Sequence, residues 1–418
     1  MRLAALHRPR LPDVSLALVL PAGADSTGPG QAGLASLAAK VMPEGAAGKG
    51  AREMATWLDG LGVHLGIAVG YDSMILRLHT LSNQLAPALD ALAAVALRPD
   101  FVADEVTRCR GERLDAIRRL RDEPADVADD VLTELVYGEH PYGRLTRGRE
   151  ETVAPLDQAD LIEFHASRFS PRAATLVACG DLPGDFTELA AARFGEWRGV
   201  DVDRQPPASA QEVADPGIVL VDRPGSHQSE IRIGGIGIAR GDPDEPAARV
   251  TNAILGGLFN SRLNMNLRED KGWTYGARSA LALRRSRGPV VLRAAVETAV
   301  SGAAVREMLR EVREMQESLP TEEELETAAG ALTRSLPLRF ETNSQIAATI
   351  SEQVVYDLPD DYWAAFTSRI EGVSRDNVRD MAARLLDPHK LAILVVGDAD
   401  EVSRDLEELG PVSMREAP

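Results

Sequence analysis

The sequence predicts an α+β protein of two homologous halves, each a mostly antiparallel sheet packed with helices. Two observations carry that reading. A segment near residue 170 recurs 217 positions later, and a polar stretch separates the copies. FSPRAATLVACGD (169–181) answers LDPHKLAILVVGD (386–398), with Pro171/Pro388, Gly180/Gly397 and Asp181/Asp398 coinciding. The match runs upstream without a gap: Leu156, Leu161 and Phe164 fall on Val373, Val378 and Met381, and each copy opens on a capping residue, Asp157 or Ser374. Each copy is then a helix, a turn at proline and a short apolar strand ending in Gly-Asp. A match of that length marks an internal duplication. Between the copies, DVDRQPPASAQEVADPG (201–217) is polar, proline-bearing and aperiodic, so it forms a linker between an N-terminal half, 1–200, and a C-terminal half, 218–418.

The remaining elements follow from pattern. VSLALVL (14–20) and SMILRLHT (73–80) are strands. Met54, Trp57, Leu58 and Leu61 recur at helical spacing and stop at Gly62. Leu85, Leu89 and Leu92 mark another helix; RPDF follows, then a long arginine-rich helix through Ile117. The second half answers with strands EIRIGGIGI and PVVLRAAV and a helix carrying Val305, Met308, Leu309 and Val312. Thr321 and Glu324 form a capping box for the next helix, whose acidic start is a solvated face. LGGLFNSRLNMNLRED (255–270) reads as one helix ended by Gly272, and WTYGARSALAL (273–283) as a strand.

Composition removes several function classes. A chain of 418 residues, 44% hydrophobic and 26% charged, is long enough for two cores and is not globally disordered. Its net charge of −18 argues against nucleic acid and anionic membrane as partners. Cys109 and Cys179 stand far apart without CxxC spacing, which fits a reducing compartment and excludes a cysteine-based zinc site. No signal peptide opens the chain and no run reaches the ~18 apolar residues of a spanning helix. The expected location is cytoplasmic, or periplasmic if the start has been trimmed. Four lysines against 42 arginines point to a GC-rich bacterial source.

Most motifs carry no chemistry. GADSTGPGQAG (23–33) lacks the Lys-Ser/Thr of a phosphate loop, and GGIGIARG (234–241) lies in a strand, unlike a dinucleotide fingerprint. No two of the seven histidines lie three or four residues apart, and no GxSxG elbow occurs. One stretch remains, LREDKGWTYG (267–276), which sets Arg268 in the last turn of a helix and Tyr275 seven residues on, past Gly272. A guanidinium and a phenol meeting there can polarise a carbonyl or stabilise an oxyanion. The alternative is that Arg268 caps the helix end and Tyr275 packs as a strand residue, and spacing alone favours this plainer reading.

The duplication together with NSRLNMNLREDKGWTYG resembles the insulinase/pitrilysin family of zinc peptidases, of the mitochondrial processing peptidase type, over nearly the whole chain. GYDSMILRLHTL, RPDFVADEV and HPYGRLTRG are similar to family segments too. The resemblance implies a processing-peptidase-like fold in which Arg268 and Tyr275 bind substrate and assist catalysis at a zinc site. The family's inverted motif, His-x-x-Glu-His after Gly-Leu-Ala, is missing: GLASLAAKV puts Ser36, Ala39 and Lys40 at those positions, and Ala116 stands where the distal glutamate ligand belongs. Zinc cannot be held by that set, so no cofactor is expected in this chain and it should not hydrolyse peptides alone. The implied role is the non-zinc subunit of a heterodimer. It supplies Arg268 and Tyr275 in trans to a homologous HxxEH subunit that carries the zinc, in cleavage of a peptide, possibly a leader peptide. The competing role is a catalytically inert structural or peptide-binding member of the family.

Overall fold

The computed structural model describes residues 1–200, 202, 208–212 and 216–416; the rest of the linker and residues 417–418 lie outside the described residues. The chain folds as two compact units. The first comprises Met1–Arg118, Arg144–Pro206 and Leu336–Pro359; the second comprises Arg119–Gly143, Pro207–Ser335 and Asp360–Pro418.

Unit 1 is built on five strands: β1 (Arg2–His7), β2 (Asp13–Leu20), β3 (His64–Val69), β4 (Met74–Leu81) and β5 (Thr175–Gly180). Their order is β1-β5-β2-β4-β3; β1 runs parallel to β5 and the other neighbours are antiparallel. β2 shows why its sequence is continuously apolar. Val14, Leu16, Leu18 and Leu20 enter the core with Leu34, Leu37, Leu89 and Leu92, while Ala17 and Val19 face Val177, Ile346 and Ala347 on the other side. A strand buried on both faces loses its polar alternation. Each of the large side chains contributes about 2 kcal/mol by leaving water.

Unit 2 repeats the plan with β6 (Ile218–Asp222), β7 (Gln228–Ile236), β8 (Ala277–Leu281), β9 (Pro289–Glu297), β10 (Ala392–Gly397) and β11 (Val412–Arg415). The order β6-β10-β7-β9-β8 matches unit 1 strand for strand, including the parallel β6–β10 pair; β11 is added parallel to β6. The offset of 217 holds to the residue: the Gln158–Arg168 helix and β5 reappear as the Arg375–Leu385 helix and β10. Asp157 accepts from the N–H groups of Ala159 and Asp160, and Ser374 from that of Asn377, as the capping reading requires. The expected α+β class is the observed one, with sheets of mixed orientation.

The Asn343–Tyr356 helix comes from the second half of the sequence, yet it belongs to unit 1 and packs on β2 and β5. The Asn343 side-chain amide donates to Asp13 Oδ1 at 2.9 Å and the Ser344 hydroxyl meets that of Ser15 at 2.8 Å. The Pro124–Tyr137 helix, from the first half, belongs to unit 2 and packs on β7 and β10. Buried Arg232 of β7 binds it through Asp129 Oδ1 at 2.6 Å and the Ala125 carbonyl at 3.3 Å. Each sheet is thus covered by a helix from the opposite half of the sequence. Among the described residues, no helix is long and apolar enough to cross a membrane.

Candidate functional site

In unit 2 the segment 255–270 is not the single helix its pattern predicts. The chain passes through a π-helical turn, Ala253–Gly257, breaks at 258–261, and resumes as Arg262–Asn264 and a second π-helical turn, Met265–Asp270. Within the first turn β8 presses so close that a Cβ on Gly256 would lie 2.3 Å from the Ser279 nitrogen, so only glycine fits there. The second π turn closes with the Lys271 N–H donating to the Asn266 carbonyl at 3.2 Å. Gly272, at φ +66°, then reverses the chain, and the N–H groups of Gly272 and Trp273 return to the carbonyls of Arg268 and Leu267 at 3.0 and 2.9 Å. That is a Schellman-type stop widened by one residue, as a π turn demands.

Two asparagines hold this corner. Asn264 donates to the Phe259 carbonyl at 2.7 Å and accepts from the Ala277 N–H at 3.3 Å, fixing the loop on either side of the helical segment. Asn266 donates to Glu307 and Glu311 at 2.9 and 2.6 Å. Asn266 is buried, so those bonds anchor the turn that carries Arg268.

Arg268 itself stays partly exposed. Its guanidinium lies over the Phe259 ring, 4.7 Å from the centroid, with Glu269 at 3.4 Å. Among the described residues it donates no hydrogen bond to a helix carbonyl, so the capping alternative does not hold. Nor does Tyr275 pack as a strand residue. β8 begins only at Ala277, because the Thr274 hydroxyl bonds the N–H and carbonyl of Gly276 at 3.1 and 3.2 Å and turns the chain first. Tyr275 is 94% exposed. Leaving such a ring in water forgoes about 2 kcal/mol of burial, which a purely structural position would recover. Phe259 escaped the sequence reading, its only signal being an aromatic residue nine positions before the arginine.

The degenerate metal face lies in unit 1. The helix Leu34–Val41 starts from Gly33 at φ +94°, where a side chain would strike the Arg147 carbonyl at 2.8 Å. Ser36 donates its hydroxyl back to the Gly33 carbonyl at 3.0 Å, Ala39 is buried, and the Lys40 ammonium binds Glu112 at 2.6 Å. Glu112 and Arg113 belong to the Ala103–Leu120 helix, and Arg113 reaches the Ser36 carbonyl at 3.5 Å. Ala116, one turn further on, presents only a methyl group. The two helices meet through the Lys40–Glu112 ion pair and the Arg113 contact, while the positions in question offer a hydroxyl, an ammonium and two methyls. Arg108 extends the charge network, binding Glu112, Glu105 and Glu44 at 2.7 Å each. Lys40 and Arg108 together hold the Glu112 carboxyl below its usual range. This set does not fit zinc, which needs three or four N, S or carboxylate ligands. Among the described residues, no group of three or more His, Cys, Asp and Glu is placed to hold a metal ion.

Residues 2–150 match the family model of insulinase (peptidase family M16), and residues 155–332 match that of the peptidase M16 inactive domain. An uncharacterized zinc protease of Mycobacterium tuberculosis is 27% identical over 355 residues, covering 82% of this chain and 79% of its own. The non-peptidase homolog YmxG of Helicobacter pylori is 23% identical over 373 residues, covering 88% and 85%. The crystal structure of a peptidase M16 inactive domain from Pseudomonas fluorescens aligns with a TM-score of 0.89 at 26% identity, covering 95% of each chain. With two models of one family following each other along it, the chain belongs to the insulinase family, peptidase family M16.

Proposed function

We propose that this chain is the zinc-less subunit of a heterodimeric zinc peptidase and supplies Arg268 and Tyr275 to a peptide bound at a homologous partner's zinc site. The observation that carries the reading is the outward presentation of Tyr275, on a turn anchored beneath it by buried Asn266 and reversed by Gly272. In this role Arg268 donates to a substrate backbone carbonyl, and the Tyr275 phenol donates to the oxyanion as the partner's site attacks the scissile bond. Neither group changes charge, so both act as preorganised donors. The peptide adds as an extra strand to an open sheet edge. In this role the hydrolytic water belongs to the partner, a reading supported by the misfit of Ser36, Ala39, Lys40 and Ala116 to zinc. Leader-peptide trimming suits such a pair, with acidic surface facing basic peptides.

The test is reconstitution. This chain is mixed with an HxxEH-bearing homologue encoded beside it, and peptide cleavage is followed. Activity confined to the mixture and lost with Arg268→Ala supports the reading; full activity of the partner alone overturns it. The second reading, an inert structural or peptide-binding subunit, is favoured by the likeness to a relative named a non-peptidase homolog. It requires that Arg268→Ala and Tyr275→Phe leave every activity of the complex unchanged.

A further inference from the structure

A cleft of about 710 Å³ opens in unit 1 among the Ala51–Gly60, Leu85–Leu97 and Phe186–Phe194 helices. That volume lies within the range of small-molecule sites. Trp57, half-buried, lines it with the edge of Trp197, which is otherwise buried in the core, beside the buried methyl groups of Ala93 and Ala94. A second hollow, of about 660 Å³, shares Trp57 and Lys49 with the first, so the Trp57 ring borders both. The Lys49 ammonium stands 5.6 Å from the centre of that ring.

The charges of the cleft run against those of the chain. Of its two carboxylates, Asp90 is engaged by Arg193, whose Nε and Nη2 donate to it at 2.9 and 3.4 Å. That leaves Lys49, Arg98 and Arg198 facing one carboxylate, Glu196, in a protein of net charge −18. Among the described residues, Arg198 donates only a 3.4 Å bond to the Gly195 carbonyl, and Arg98 and Lys49 form no ion pair. Aromatic walls and surplus donors are the two halves of a recognition site for a ring that carries negative charge.

We propose that this cleft binds a planar aromatic anion, with the ring against Trp57 and the acid group drawn to Lys49, Arg98 and Arg198. The chemistry is shared by aromatic carboxylic acids and nucleoside monophosphates. It is independent of the Arg268–Tyr275 reading, since every residue concerned lies in unit 1.

Calorimetric titration of the full chain at low salt tests it, using indole-3-acetate and adenosine monophosphate as probes. Indole, acetate and inorganic phosphate serve as half-ligands. The expected result is one saturable site for at least one probe with Kd below about 1 mM, and half-ligands at least about tenfold weaker. Whichever probe saturates names the source of the anion. Arg98→Gln, an exposed change, and Trp57→Leu should each weaken binding about tenfold with circular dichroism unchanged. Arg98→Gln alone decides the matter if Trp57→Leu fails to fold. No saturation by either probe, equal binding of a half-ligand, or unchanged binding by Arg98→Gln overturns the proposal.

Discussion

The Arg268 guanidinium rests on the Phe259 ring at 4.7 Å, and both side chains are left at the surface, Phe259 being 65% exposed. The contact fixes a long, flexible cation without burying it. Phe259→Ala removes that support at little cost to the fold. Its thermal midpoint should shift by less than about 2 °C, as for other surface changes. Partner-dependent cleavage should fall about fivefold, the equivalent of one exposed cation–π contact. Differential scanning calorimetry and the reconstituted assay measure the two effects separately.

Tyr275→Phe deletes one hydroxyl from a ring that touches little of the protein. Stability should be unchanged within about 0.5 kcal/mol. Cleavage by the reconstituted pair should drop about 100-fold or more through kcat, as loss of an oxyanion donor does. A loss that appears only in KM would reassign Tyr275 to substrate binding.

Restoring the metal set tests the alignment directly. Ser36→His, Ala39→Glu, Lys40→His and Ala116→Glu together should raise bound zinc from below about 0.1 to about one per chain by elemental analysis after dialysis. The first three changes without Ala116→Glu should hold zinc loosely and lose it to a mild chelator. If the set of four takes up no metal, Ala116 is not the distal ligand position.

A buried cluster in unit 2 makes stability depend on pH. Glu245 accepts from Tyr362 Oη at 2.7 Å, from Arg249 at 2.8 Å, from the Gly241 N–H at 2.8 Å, and from Arg240. Burial pushes the Glu245 carboxyl up, but Arg249 and Arg240 outweigh it and hold it below its usual value. Its contribution is therefore present above the unfolded carboxyl pKa of about 4.3 and is lost as pH falls through the lower folded value. Burial, with Glu245 beside it, pushes the Tyr362 phenol to about 12. That contribution is present below the unfolded value of about 10 and lost as pH rises towards the folded one. Tyr362→Phe should cost about 1.5–3 kcal/mol at neutral pH and flatten the alkaline limb, while Glu245→Gln flattens the acid limb. Urea melts from pH 3 to 11 check both.

The duplication was legible because its strongest copies are local. One helix, one proline turn and one strand recur at a constant offset, and their caps and closing Gly-Asp pairs are written in adjacent residues. β1, β3, β6 and β11 were not anticipated. They are short, three of them lie at sheet edges, and edge strands need little apolar alternation. The helix exchange was invisible for a different reason: which sheet the Pro124–Tyr137 and Asn343–Tyr356 helices cover is a non-local choice that periodicity does not encode. At the site, the misfit of Ser36, Ala39, Lys40 and Ala116 to zinc could be read from residue types alone. The outward turn of Tyr275 could not, since WTYGARSALAL is strand-like throughout and only the Thr274–Gly276 hydrogen bonds delay β8.

The exchanged helices bear on whether either half can change or persist by itself. The first half of the sequence carries Ser36, Ala39 and Lys40, whose side chains do not fit zinc, but it also carries the Pro124–Tyr137 helix that packs on β7 and β10. Deleting that half would strip the other half's sheet of its cover. The loan runs both ways, so neither copy of the ancestral duplication can be shed, shuffled or inherited by itself. Change at Ser36, Ala39 and Lys40 is thereby uncoupled from loss of the domain, because the scaffold around them also serves the other half's sheet.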